Sequence, residues 1–160
     1  MLTHHWLVRL RGGEKVLAAL RELLPDSPLY TLIHDPDEMR QGWPDVHTSW
    51  LQKLPGVHRH YQKLLPLMPG AARRMKLPPV DLVLCSDAAI AKAMTPAPQS
   101  RVVCYCHSPM RYVWEPEIAA AYRATLPAPL RPLWTAVCRS VRAADHRAAQ
   151  RVDQFVANSR

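Results

Sequence analysis

Cys104, Cys106, His107, Ser108 and Arg111 put two thiols, an imidazole, a hydroxyl and a guanidinium into one short stretch, Arg101-Val-Val-Cys-Tyr-Cys-His-Ser-Pro-Met-Arg-Tyr112. Cys104 and Cys106 lie two apart, so on a strand both sulfurs share a face and could begin a metal site with His107. No second Cys/His pair stands at zinc-finger spacing, and cysteine is a common core residue, so no metal is expected. A Cys–His nucleophile pair is equally weak, because a thiol buried in a strand is usually inert. No G-x-S-x-G elbow or Walker-type loop occurs. Ligand contact by His107 remains, with Ser108 beside it and Arg111 close enough in sequence to be a candidate anion contact.

The stretch has to be held by a strand. Val102 to Cys106 is an apolar run of β-branched and aromatic residues, which reads as buried. Pro109 cannot donate to a ladder and biases Ser108 away from helix, so the chain turns there. His107 therefore sits at the carboxyl end of an interior strand, the edge at which open α/β sheets bind ligands. Met1 to Val8 reads as a first strand, with His4 and His5 inside it as structural residues. Val16, Leu17, Leu20, Leu23 and Leu24 then recur at helical spacing and stop before Pro25. Between strand and helix lie Gly12 and Gly13. Without Cβ atoms they let a ligand approach the backbone beside the anion-attracting N–H groups of a helix start. The pattern is not G-x-G-x-x-G, so no dinucleotide is indicated.

Strand, glycine pair and helix open a doubly wound α/β fold with a mostly parallel, Rossmann-like sheet. Leu29–Ile33 and Val80–Cys85 are further strands, the latter ending in Ser86-Asp87 before a short helix from Ala88 to Ala93. Leu130 to Arg151 is the longest predicted helix, with Leu130, Leu133, Trp134, Val137, Val141, Ala144 and Ala148 on one core-facing stripe. Val152–Ala157 reads as a last strand, and Asn158-Ser159 as the opening of another helix.

At 160 residues, 48% of them hydrophobic, the chain supports one domain with a real core. Its net charge of +8 calls for anionic company. Few aromatics interleave with the basic residues, which argues against nucleic acid. Between Val46 and Val80 there is no Asp or Glu. Lys53, Arg59, Lys63, Arg73, Arg74 and Lys76 stand there among Trp50, Leu51, Leu54, Tyr61, Leu64, Leu65, Leu67 and Met68. That window reads either as a face for an anionic membrane surface or as a solvated helix pair. The start carries no apolar signal region, no stretch is long and apolar enough to span a membrane, and the four cysteines read as reduced thiols of a cytoplasmic protein. The 16 prolines should keep helices short.

Six stretches, in order and across nearly the whole chain, resemble the amino-terminal domain of glycosyltransferase family 4, in its bacterial mannosyltransferase-like members of surface polysaccharide synthesis. They are His5-Trp-Leu-Val-Arg-Leu-Arg-Gly-Gly-Glu-Lys-Val-Leu17, Tyr30-Thr-Leu-Ile-His-Asp-Pro36, His47-Thr-Ser-Trp-Leu-Gln52, His60-Tyr61 with Leu65-Pro-Leu67, Cys104 to Tyr112, and Arg151 to Arg160. The resemblance implies half of a two-domain GT-B enzyme that transfers a sugar from a nucleotide donor, with retention, to a glycan or lipid-linked acceptor. It implies that the amino-terminal domain holds the acceptor, that Gly12 and Gly13 lie against donor phosphates or acceptor, and that His107 borders the transferred sugar. It also implies independence from metals and cofactors. The family's carboxyl-terminal nucleotide-sugar domain is not in the sequence, so the chain is expected to be truncated and nearly inactive without it or a separate chain supplying it. The implied place of work is the cytoplasm, peripherally at the inner face of the plasma membrane.

Overall fold

In the computed structural model, which describes residues 1–39, 43, 45–88 and 90–157, six strands form one sheet. They are β1 (Leu2–His4), β2 (Leu29–Thr31), β3 (Val46–Thr48), β4 (Leu82–Asp87), β5 (Arg101–Cys106) and β6 (Gln154–Ala157). Their order is β3-β2-β1-β4-β5-β6 and every pairing is parallel. The chain builds outward from β1 to β3, crosses back, and builds outward again from β4 to β6. The fold is a mixed α/β, Rossmann-like doubly wound sheet flanked by helices, as expected.

Among the described residues six α-helices accompany the sheet: α1 (Gly12–Leu23), α2 (Val57–His60), α3 (Met68–Arg74), α4 (Arg111–Trp114), α5 (Pro116–Thr125) and α6 (Arg131–Ala149). Side chains alternate across the pleat, so each strand feeds two cores. Leu2 and Leu29, with Leu84 beside them, pack with Leu17 of α1, Met39 and Trp43. Val83, Cys85, Val102 and Cys104 pack with Met68 and Ala71 of α3 and with Val137, Val141 and Ala148 of α6. Burying each of these larger aliphatic side chains stabilises the fold by about 1.5–3 kcal/mol.

Several boundaries differ from the sequence expectation. The first strand is interrupted: its ladder breaks after His4 and resumes only as a single bridge, Leu7 to His34. The strand expected at Val80–Cys85 runs instead from Leu82 through Ser86 and Asp87. The helix expected at Ala88–Ala93 is, among the described residues, one 3-10 turn at Ala91–Ala93, with the Asp87 carboxylate accepting the N–H groups of Ile90, Ala91 and Lys92. The long-helix stripe holds only in part: Val137, Val141 and Ala148 are buried, whereas Leu130 and Leu133 are exposed. Asn158 and Ser159 lie outside the described residues.

Candidate functional site

In strand order 3-2-1-4-5-6 the chain reverses direction of growth between β1 and β4, and a crevice opens there at the carboxyl ends. Register fixes what stands in it. His4 is level with Ser86, and Asp87 is level with Cys106. His107 is the next residue beyond β5, its N–H donating to the Asp87 carbonyl at 2.9 Å. His4, Ser86 and His107 thus lie side by side along the sheet edge.

Ser86 joins the two imidazoles. His4 Nδ1 donates to the Ser86 carbonyl at 2.8 Å, and Ser86 Oγ is 2.9 Å from His107 Nε2. Ser86 is fully buried, so its hydroxyl orients His107 rather than attacking a substrate. Burial, then the neighbouring His4, holds His107 below its ordinary pKa of 6.5. His5 is pushed further down, first by burial and then by His4. Both are therefore neutral at pH 7 and able to accept or donate one hydrogen bond per nitrogen.

Helix α1 closes the other side. Gly12 and Gly13 are not a bend before the helix but its first turn, and neither has a positive φ. Their roles separate. A Cβ on Gly12 would meet nothing within 4 Å, whereas one on Gly13 would lie 3.6 Å from His4 Cε1 and 3.7 Å from His107 Nε2. Gly13 therefore keeps open the space above both imidazoles. Glu14, only 3% exposed, accepts the Arg11 N–H through Oε2 at 3.0 Å and brings Oε1 to 3.9 Å from His4 Nε2. Burial raises the Glu14 pKa, but the attraction of the nearby His4 ring and hydrogen bonds from backbone N–H groups outweigh it, and the carboxyl stays below its usual range.

Beneath the site a charged strut ties β4 to α6. Lys92 Nζ donates to Asp87 Oδ2 at 2.9 Å and pairs with Asp145, whose Oδ2 accepts the Trp114 indole N–H at 2.9 Å. All three ionised groups are buried. Burial works against the charged forms of Asp87 and Lys92, but their mutual attraction prevails, holding Asp87 far below and Lys92 far above their ordinary values.

The crevice opens as a cavity of about 470 Å³, lined by His5, Arg11, Gly12, Gly13, His107 and Ser108 among others. Four of the five residues singled out from sequence, Gly12, Gly13, His107 and Ser108, meet there. Arg111 does not: it begins α4, exposed, with its guanidinium forked onto Glu115 at 2.8 and 3.3 Å. The cysteines stay apart from His107's ligand face. Cys85 and Cys104 are opposite each other in the core, Cys106 donates to the His107 carbonyl, and burial pushes Cys85 and Cys106 further from ionisation.

Sequence reasoning missed His4, His5 and Glu14 by reading one unbroken strand through Val8. The ladder break puts both histidines at a strand terminus, with ring centroids 4.1 Å apart. Two adjacent imidazoles ahead of a diglycine were the available signal. A second hollow of about 580 Å³, lined by Arg9, Asp35, Gln52, His58 and Arg59 among others, lies at the ends of β1 and β2. There the Gln52 amide donates to the His34 carbonyl and to His58 Nε2, leaving His58 Nδ1 as the protonated nitrogen 3.4 Å from Asp35.

The basic window resolves differently from its apolar reading. Leu51, Tyr61, Leu65 and Met68 are core residues, and of the large apolar side chains there only Trp50 and Leu67 are exposed. Lys53, Arg59, Lys63, Arg73, Arg74 and Lys76 remain exposed. No helix among the described residues is long and apolar enough to cross a membrane. A scan of family models and searches of curated proteins and of solved structures find no match to this chain.

Proposed function

We propose that this chain is the acceptor-side half of a retaining glycosyltransferase, working with a nucleotide-sugar domain to move a sugar, mannose being the first candidate, onto a glycan or lipid-linked acceptor. The observation that carries the reading is the meeting of Gly13 and His107 at the switch-point crevice, with a Gly13 Cβ position 3.7 Å from His107 Nε2. Sugar transfer to a hydroxyl needs an anion-tolerant wall for the donor diphosphate and a fixed polar group beside the reacting sugar. The N–H groups at the α1 start fit the first need. His107 fits the second as a positioned hydrogen-bonding group and not as a nucleophile. Ser108 adds a hydroxyl at the rim. The neighbouring hollow at Arg9, Gln52 and His58 suits a polyhydroxylated acceptor, with donors and acceptors on one wall.

The reaction needs a closed, water-poor cleft, which a sheet with one open edge does not provide. The 160 residues by themselves are therefore expected to bind without turning over. Transfer from nucleotide sugars to polyprenyl-diphosphate glycans, assayed with the chain alone and with a candidate nucleotide-sugar domain, tests this. Turnover only in the mixture supports the reading, and transfer by the chain alone, or no transfer with any such domain, counts against it.

A further inference from the structure

We propose that a third hollow, between the outer strands β2 and β3 and the carboxyl end of α3, binds an acidic saccharide, a sugar ring that carries a carboxylate or a phosphate. The hollow holds about 480 Å³ and is lined by Tyr30, His47, Thr48, Trp50, Arg74 and Lys76 among others. The inference rests on the acceptor reading above and deepens it, by assigning the acceptor a negative charge and a place to hold it.

Charge comes first. Between Val46 and Val80 there is no Asp or Glu, and Asp45, the acid just ahead of that window, brings Oδ1 to 2.9 Å from His47 Nε2. Arg74 closes α3 and Lys76 follows two residues on. Both are exposed. Among the described residues neither side chain forms an ion pair or a hydrogen bond. Two cations without a counter-charge therefore line one concavity, which calls for an anionic ligand. The guanidinium fork matches the paired oxygens of a carboxylate or phosphate, and the ammonium adds a second point charge.

The remaining wall describes the body that bears the charge. Tyr30 and His47 are level in the β2–β3 ladder and stack with ring centroids 4.4 Å apart and planes 15° from parallel. Each ring thus covers one face of the other. Trp50, 39% exposed, offers an indole to the apolar side of a ligand. Thr48 adds a hydroxyl with no partner among the described residues. Burial, then Asp45, raises the Tyr30 pKa, so the phenol keeps its proton at pH 7. Hydroxyls that can both donate and accept, set beside an indole, suit a polyhydroxylated ring. Position points the same way. The 3-10 turn Trp50–Lys53 separates this hollow from the one at Arg9 and His58: Trp50 lines the former and Gln52 the latter. A glycan seated on Gln52 has only that turn to cross before it reaches Arg74 and Lys76.

Calorimetry at fixed low ionic strength tests the site, with trigalacturonate and mannose 6-phosphate as acidic probes. Maltotriose is the neutral probe, and inorganic phosphate and AMP are the controls. The expected result is a Kd below about 1 mM for both acidic probes, with maltotriose and inorganic phosphate at least about tenfold weaker. Replacing both cations, Arg74→Ala with Lys76→Ala, should weaken the acidic probes more than about tenfold, and Trp50→Ala about three- to tenfold. Lys63→Ala removes a like charge from the same tract outside the hollow and should change binding less than about twofold. All four side chains are exposed, so the variants should fold. Weaker binding of the acidic probes, equal binding of maltotriose or inorganic phosphate, or tighter binding of AMP would each overturn the proposal. So would an unchanged affinity in the double variant, or an equal loss with Lys63→Ala. Transfer is read separately. Acidic binding as expected, with no transfer in any assembled enzyme, would keep this site and end the acceptor reading, whereas transfer to neutral acceptors alone would do the reverse.

Discussion

At the scale of single residues the crevice depends on which histidines stay neutral. His107 is fixed by Ser86 and kept below pKa 6.5 by burial, and His5 is held well below that value for the same first reason. An unfolded chain takes protons on these rings near 6.5, while the folded chain refuses them until lower pH. Stability is therefore expected to fall as pH drops from about 7 towards about 5, because the unfolded state binds more protons in that window. Glu14 and Asp87, both lowered, act only at more acidic pH. Urea unfolding midpoints across that range check this, and a flat or rising profile would contradict it. The same neutrality makes His107 a hydrogen-bonding group at pH 7. In an assembled transferase His107→Ala should cost about 10²–10³-fold in kcat, the scale of losing one preorganised polar contact. Steady-state kinetics measures it, and a loss below threefold would remove His107 from the reaction centre.

At the scale of elements, legibility followed burial. Strands β4 and β5, rich in Val, Leu and Cys and buried at Val83, Cys85, Val102 and Cys104, stood out as apolar runs, and α1 stood out through its amphipathic spacing. Strand β3 is three residues at the sheet edge, Val46-His-Thr48, too short for a period to register. Helix α5 has no buried residue at all, so no stripe could mark it. His107 and Gly13 were legible because a proline stop and a diglycine are local signals. Glu14 was not, since nothing in its neighbours announces that a helical carboxylate is buried against β1. The Asp87–Lys92–Asp145 strut was equally hidden, because its members come together only through the docking of α6. Removing its one cation leaves two buried carboxylates unpaired. Lys92→Met is therefore expected to cost about 3–5 kcal/mol of unfolding free energy. Denaturant titration reads it directly, and a cost under ~1 kcal/mol would mean the strut is already hydrated.

At the scale of the whole molecule, the charge of +8 is carried in part by an exposed basic tract on the connection between β3 and β4. Apart from Trp50 and Leu67, its large apolar side chains are not exposed, so any membrane contact has to be mainly electrostatic. Flotation with anionic vesicles is expected to show association at low ionic strength that fades as added salt shortens the screening length to about 3 Å at 1 M. Binding that resists salt, or none at low salt, would contradict this. The parallel order β3-β2-β1-β4-β5-β6 matters most at this scale, because it opens a ligand crevice between β1 and β4. The most direct test is to titrate the protein with a nucleotide sugar, and separately with a polyprenyl-diphosphate glycan, while following backbone amide and imidazole NMR signals. Saturable shifts gathered at His5, Gly12, Gly13, His107 and Ser108 are the expected result. Saturable shifts that leave those residues unmoved, or no binding of either ligand, would contradict a sugar-handling site between β1 and β4.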